Sequence, residues 1–134
     1  MKTLYLRCGL SFSGKTTLAR KIVERLQCAY ISLDNINADV VVDDVNNFRW
    51  LRDPWRAAAR SSCYHTVVIY LNIPHTELAT RRRANQVTAE RKGITEAVWA
   101  EHVSNFEPPG ADEHVLRYGL TEDAESWVMD HFRP

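Results

Sequence analysis

The sequence predicts a three-layer α/β domain with a central, mainly parallel β-sheet. Three observations carry that expectation. Apolar runs that read as strands alternate with segments whose apolar residues recur every three or four positions. One run, Thr66 to Ile73 (TVVIYLNI), is apolar almost throughout, as a strand covered on both faces must be. Helix-start and helix-stop signals fall between the runs rather than inside them. Strands that alternate with helices build parallel sheets, because each helix carries the chain back to the same edge.

Taken in order, Thr3 to Cys8 reads as a buried strand that ends just before a glycine. Lys15 to Gln27 reads as a helix, with Leu18, Ile22 and Leu26 on one face and Ala19 and Val23 beside them. Ala29 to Leu33 is a second short strand, and Val40 to Val42 is a β-branched triplet that runs into Asp43 and Asp44. Asp53-Pro54 predicts a helix start, an N-cap followed by proline at the first helical position. After the strand at 66–73, Pro74 is a stop and Thr76 a cap for a helix through Arg81, Arg82 and Arg83. Thr95 caps another, whose face carries Val98, Trp99, His102, Val103 and Phe106, and Pro108-Pro109-Gly110 stops it. Trp99 and Phe106 read as core. His114 to Tyr118 reads as a last strand, and Thr121 as the cap of a final helix with Glu122 and Asp123 at its positive end.

A length of 134 residues points to one domain, 1–134. The 17 basic and 17 acidic residues cancel, which argues against a bulk electrostatic partner such as a long nucleic-acid track. Arg56 and Arg60, one turn apart, read as a solvated stripe. Cys8, Cys28 and Cys63 have no metal or disulfide spacing and read as reduced thiols of a cytoplasmic protein. No apolar run approaches the ~20 residues that cross a bilayer. His65, His75 and His102 have no ligand spacing and receive no role.

The segment Gly9, Leu10, Ser11, Phe12, Ser13, Gly14, Lys15, Thr16, Thr17 carries the chemistry. It fits G-x-x-x-x-G-K-[ST] at every fixed position, between an apolar strand and an amphipathic helix. Glycines let the backbone wrap so that its N–H groups point at phosphate oxygens. The helix behind it adds unsatisfied N–H groups and partial positive charge. In such a loop Lys15 reaches the β- and γ-phosphates and the Thr16 hydroxyl joins a magnesium shell. The four lysines, Lys2, Lys15, Lys21 and Lys92, form no N-K-x-D segment, so ATP is the expected nucleotide, with GTP not excluded.

Several further stretches combine with this loop: the strand-end aspartate of ISLD, VVVDDVNNFRWLR, IYLNIP followed by an arginine-bearing helix, and NFEPP. Together they resemble the polynucleotide-kinase-like P-loop kinases, whose relatives include seryl-tRNA kinases, chloramphenicol phosphotransferases and zeta toxins. The resemblance covers most of the chain. It implies the three-layer P-loop kinase-like fold and a Mg-ATP-dependent transfer of a phosphoryl group. The acceptor is a hydroxyl on a small molecule or a nucleic-acid end. It makes Asp34 the carboxylate that addresses that hydroxyl and Asp43 the acid near magnesium. Asn46 and Arg49 match D-x-x-N-x-x-R near the phosphates or acceptor, and Arg81, Arg82 and Arg83 match lid arginines. A different class of reading is a nucleotide-binding module or slow ATPase with a trimmed acceptor site.

One interval resists this template. Only Asn35 to Asp39 separate the strand ending before Asp34 from the one opening at Val40. A parallel crossover needs about a dozen residues or more. Three explanations stay open: an antiparallel hairpin, which would put Asp43 at the wrong end of the sheet; a triplet outside this sheet or paired in a swapped dimer; or a segment that is missing there.

Overall fold

A computed structural model describes residues 2–10, 12–26, 38–42, 46–89 and 93–132; within the first helix, the side chains of residues 16, 19, 20, 23, 24 and 26 are outside that description. Four strands form one sheet: β1 (Lys2–Cys8), β2 (Val40–Val42), β3 (Tyr64–Asn72) and β4 (Val115–Gly119). Their order is β2-β1-β3-β4 and every pairing is parallel. The helices are α1 (Lys15–Leu26), α2 (Arg49–Ser61), α3 (His75–Thr88), α4 (Glu96–Asn105) and α5 (Ala124–His131).

Side-chain alternation along the strands sorts the core into two layers. Leu4, Leu6, Cys8, Val40, Val42, Tyr64 and Val68 pack on one face, under Ala59 and Trp55 of α2. Val41, Ile69 and Leu71 pack on the other, under Leu18 and Ile22 of α1 and Trp127 and Val128 of α5. A third cluster, Leu10, Ile73, Leu78 and Trp99, closes the carboxyl end of β3 beneath α3 and α4. Trp99 and Phe106 are core residues as expected, although Phe106 reaches the core from the extended C-cap of α4 rather than from a helical face.

β2 settles part of the question of the short interval. It lies against β1 in parallel, with Leu4 opposite Val40 and Leu6 opposite Val42. Asp39 Oδ1 accepts from the Thr3 amide at 2.7 Å and fixes where the strand begins. The triplet therefore belongs to this sheet and is not antiparallel to β1. The connection from β1 to β2 runs from residue 9 to residue 39 and carries α1, ample for a crossover. The expected strand at 29–33 lies outside the described residues.

Three helix starts differ from the expectation, each because a backbone carbonyl upstream takes the first turn. The amides of Leu51 and Arg52 both donate to Phe48 O, at 3.1 and 3.2 Å, so α2 begins at Arg49 and not at Asp53-Pro54. Asp53 instead pairs with Arg49 and Arg56 at 3.2 and 2.9 Å, and Pro54 sits exposed inside the helix. Glu77 and Leu78 donate to Pro74 O, at 3.0 and 3.1 Å, which leaves Thr76 inside α3 rather than capping it. A turn from Gly119 to Glu122 occupies Thr121, and Asp123 caps α5 by accepting from the Ser126 amide at 3.0 Å. Thr95 does cap α4, accepting from Val98 at 3.3 Å.

What holds α2 in place is a buried ion pair. Arg52 and Glu113 have fully buried side chains and meet at 2.9 Å. Arg52 Nη1 also donates to Asn46 O at 2.9 Å and to Glu107 O at 3.0 Å. Removing one partner of a buried pair leaves an uncompensated charge and typically costs about 3–5 kcal/mol. Glu113→Ala should lower the unfolding free energy by about that much, measured in urea, and the double change Arg52→Met, Glu113→Leu should recover only part of it, because the carbonyls of Asn46 and Glu107 and the Gly110 amide then lose their partners. A loss under ~1 kcal/mol, the range of an exposed pair, would contradict the role assigned to it.

Candidate functional site

β1 ends at Cys8, and the chain then turns across the carboxyl edge of the sheet into α1. Gly9 is obligatory by contact: a Cβ there would lie 2.7 Å from Ser13 Oγ and 3.1–3.2 Å from Leu71. Gly14 is obligatory by conformation, with φ +94°. Phe12 also has positive φ, 67°, an uncommon state for a large side chain. Its burial and its carbonyl, which accepts from Arg81 Nη1 at 2.9 Å, hold it there. The Ser13 amide donates to Leu10 O at 3.2 Å, and the Leu18 amide to Gly14 O at 3.0 Å starts α1.

The Lys15 ammonium donates to the Gly9 carbonyl, across the mouth of the loop. Ser13 Oγ is buried and has no partner among the described residues. A ring of backbone with two positive-φ residues, a lysine over its mouth and a helix N-terminus behind it fits a phosphate chain. Of the nine loop residues, Gly9, Leu10, Phe12, Ser13, Gly14 and Lys15 come together this way. Ser11 lies outside the described residues, Thr17 is exposed, and the Thr16 side chain is not described. Asp34 and Asp43, proposed for acceptor and metal, also lie outside the described residues.

The three arginines of α3 separate. Arg81 bridges the loop and α3, with Nε on Glu77 at 3.1 Å in addition to its bond to Phe12. Arg82 turns under α4: it is 5% exposed, donates to Glu96 at 2.6 Å, and its guanidinium carbon is 5.5 Å from the Trp99 ring centroid. Arg83 is exposed, 3.5 Å from Thr80 Oγ1.

The D-x-x-N-x-x-R match also divides. Arg49 forms a two-pronged pair with Asp112, which holds that carboxyl down at about 2. Asn46 is buried and offers its carbonyl to Arg52. The residue that touches the loop is Asn47, whose Oδ1 accepts from the Gly9 amide at 3.1 Å, while its carbonyl accepts from Glu107 at 2.9 Å. Asn47 and Arg52 are the functional-site residues that sequence reasoning missed. Both stand inside a stretch already singled out, VVVDDVNNFRWLR, but their roles depend on partners 38 to 61 positions away. The aromatic pair at the start of α2 is laid bare: Trp50 is 68% exposed and stacks on Phe48.

Beside the loop, a cavity of about 220 Å³ opens between the carboxyl end of β3, the first turn of α3 and the last turn of α4. Leu10, Tyr70, Ile73, Leu78, Val103 and Phe106 line it.

No protein-family model and no curated protein sequence matches the chain. Solved structures do. Kti12 of Chaetomium thermophilum, in complex with ADP-AlF3, superposes with a TM-score of 0.72 at 17% identity, over 95% of this chain and 94% of that one. A gluconokinase from Sinorhizobium meliloti 1021 gives 0.70 at 14%, over 96% and 88%. The Mycobacterium tuberculosis APS kinase in complex with AMPPNP and APS gives 0.68 at 13%, over 96% and 94%. The chain has the P-loop kinase fold. That likeness spans nearly the whole length of both chains in each pair.

Cys8, the last residue of β1, is completely buried and its thiol is pushed up to about 11 by desolvation, against the pull of Arg52 and Lys15. Cys63 is exposed. The thiolate is the reactive form. Iodoacetamide at pH 8.5 should therefore label Cys63 in the native protein and Cys8 only after unfolding, read by peptide mass mapping. The raised value also favours folding below the ordinary thiol pKa of 9.0, and that contribution should fade as pH rises from there through about 11. Equal labelling of both thiols in the native state would contradict the buried placement.

Proposed function

We propose that this chain is a Mg-ATP-dependent phosphotransferase, a kinase that moves the γ-phosphoryl group to a hydroxyl on a small molecule or a nucleic-acid end. The observation that carries the reading is the phosphate loop, closed at the carboxyl end of β1 with Lys15 on one side and Arg81 on the other. ATP is preferred over GTP because no N-K-x-D segment is present.

In this reading the loop amides and Lys15 hold the β- and γ-phosphates, the ammonium exchanging the Gly9 carbonyl for phosphate oxygens. Thr16 and Asp43 would hold magnesium, which would supply positive charge to offset that of the phosphates. Asp34 accepts the proton of the acceptor hydroxyl as its oxygen bonds to the γ-phosphorus. The bond from that phosphorus to the β-phosphate oxygen breaks, and ADP leaves. Arg81, already on the loop, is the arginine of α3 best placed to meet charge on the transferring group. The parallel direction of β2 supports this role for Asp43, because it removes the antiparallel arrangement that would have turned the end of β2 away from the phosphate loop.

The test is the thermal unfolding midpoint with and without ATP and magnesium, on the wild type and Lys15→Ala. Ligand at ~100 times its dissociation constant adds about 2.7 kcal/mol, a shift of several degrees for a domain of this size. The wild type should show a magnesium-dependent rise that Lys15→Ala lacks. No rise with ATP or GTP would overturn the reading. Release of free phosphate at the same rate with and without every acceptor tried would favour a slow ATPase in its place.

A further inference from the structure

A second cavity, of about 210 Å³, opens at the amino edge of the sheet. His65, part of its wall, lies opposite Thr3 of β1, five residues before Cys8. That is about 17 Å of strand, so this cavity and the phosphate loop are at opposite ends of the sheet. Three segments build the wall. Arg56 and Arg60 come from α2, Tyr64 and His65 from the start of β3, and Asp112 and His114 from the stretch before β4.

The wall carries a surplus of positive charge and of N–H donors. Arg60 is exposed, and its side chain has no hydrogen-bond or ion-pair partner among the described residues. Arg56 is held in place by Asp53 at 2.9 Å and by the Asp112 carbonyl at 3.2 Å, with its side chain still 22% exposed. The Asp112 carboxylate is answered from outside the cavity, by both terminal nitrogens of Arg49. Glu113, next to His114 in the chain, is turned inward to Arg52. The Lys2 ammonium adds a further charge, 4.6 Å from the centre of the Tyr64 ring.

His65 Nε2 and His114 Nδ1 meet at 2.7 Å, and both side chains belong to the cavity wall. One proton lies between the two nitrogens. Whichever ring supplies it, a neutral pair keeps one further N–H and one bare nitrogen. One additional proton turns that bare nitrogen into a donor and leaves the bond between the rings intact. The pair can therefore bring one more charge and one more donor to an anion. A solvated arginine stripe, the reading of Arg56 and Arg60 from sequence alone, accounts for neither the cavity nor these histidines.

We propose that this cavity is a second anion site, which takes a compact phosphate group, free or carried as a monoester, between Arg56, Arg60 and the His65–His114 pair. A tetrahedral dianion suits a wall built from three directions, because it offers oxygens to each of them, whereas a flat carboxylate offers two in one plane. Guanidinium forks match two phosphate oxygens at a time. The proposal is independent of the kinase reading and uses no residue of the phosphate loop.

The test is a titration of the full chain with inorganic phosphate at constant ionic strength, followed through the ring signals of the five histidines by NMR. The His65 and His114 signals should move together and saturate, while those of His102 and His131 stay in place. Arg60→Met should weaken the fitted dissociation constant roughly tenfold, the scale of one charge-assisted bond, and leave the ATP-dependent rise in unfolding midpoint unchanged. Calorimetry in two buffers of different ionisation heat should show proton uptake on binding that His114→Gln abolishes. A second titration, with glycerol 3-phosphate, separates the sources: tighter binding than that of inorganic phosphate assigns the site to a monoester, and equal or weaker binding assigns it to the free ion. Shifts that climb without saturating would overturn the proposal, as would saturation that Arg60→Met leaves untouched. A response of His65 and His114 that disappears in Lys15→Ala would also overturn it, by placing the phosphate on the loop.

Discussion

Arg52 is the residue on which the site's architecture depends. Its guanidinium has no exposure and meets Glu113 on one side, while Nη1 gathers the carbonyls of Asn46 and Glu107 on the other. Those two carbonyls belong to the segments that converge on the phosphate loop. Glu107 donates its amide to Asn47, and Asn47 accepts from Gly9. A chain of hydrogen bonds thus runs from a buried ion pair at the heart of α2 to the first glycine of the loop. The cost of desolvating that pair is large, and it is offset only because nearly every donor on the fork finds an acceptor. The local pKa values follow the same geometry: the Cys8 thiol, 3.7 Å from the Arg52 fork, stays protonated because burial outweighs the nearby positive charge.

The contrast with Arg82 is instructive. Both side chains are arginines of a helix and both are buried. Arg52 is satisfied and structural; Nε and Nη1 of Arg82 have no hydrogen-bond partner among the described residues, and its guanidinium lies over the Trp99 ring instead. Arg81 is a third case. It is half-buried, and its bond to Phe12 O clamps a residue at positive φ that the loop would otherwise hold less firmly.

The sheet class, its parallel sense and the phosphate loop were legible in the sequence because they rest on contiguous residues. β1, the loop and α1 follow one another without interruption, and β3 advertises its central position by being apolar almost throughout. Helix starts were read less well. Asp53-Pro54, Thr76 and Thr121 are sound local signals, but the carbonyls of Phe48 and Pro74 and the turn before Glu122 capture the chain first. Local capping is worth about 1 kcal/mol, too little at Asp53 to prevail over the α2 register set by Arg52 in the core. Between β1 and β2 the chain has α1 to carry the crossover; the strand expected at 29–33, from which the short interval before Val40 was counted, lies outside the described residues. Asn47 and Arg52 could not have been assigned, since their partners are Gly9 and the distant stretch 107–113, and nothing in these segments announces the others.

The central claim is that the phosphate loop is shaped from outside, through Asn47 and the network behind it, and not by its own glycines alone. Amide hydrogen exchange across residues 12 to 15 tests this most directly, comparing the wild type with Asn47→Ala under conditions where both are fully folded. The account predicts faster exchange across the loop in the variant, with β1 and β3 protected as before. Unchanged protection from Phe12 to Lys15 would contradict it, and would mean that Gly9 and Gly14 suffice to hold the loop without the support of α2.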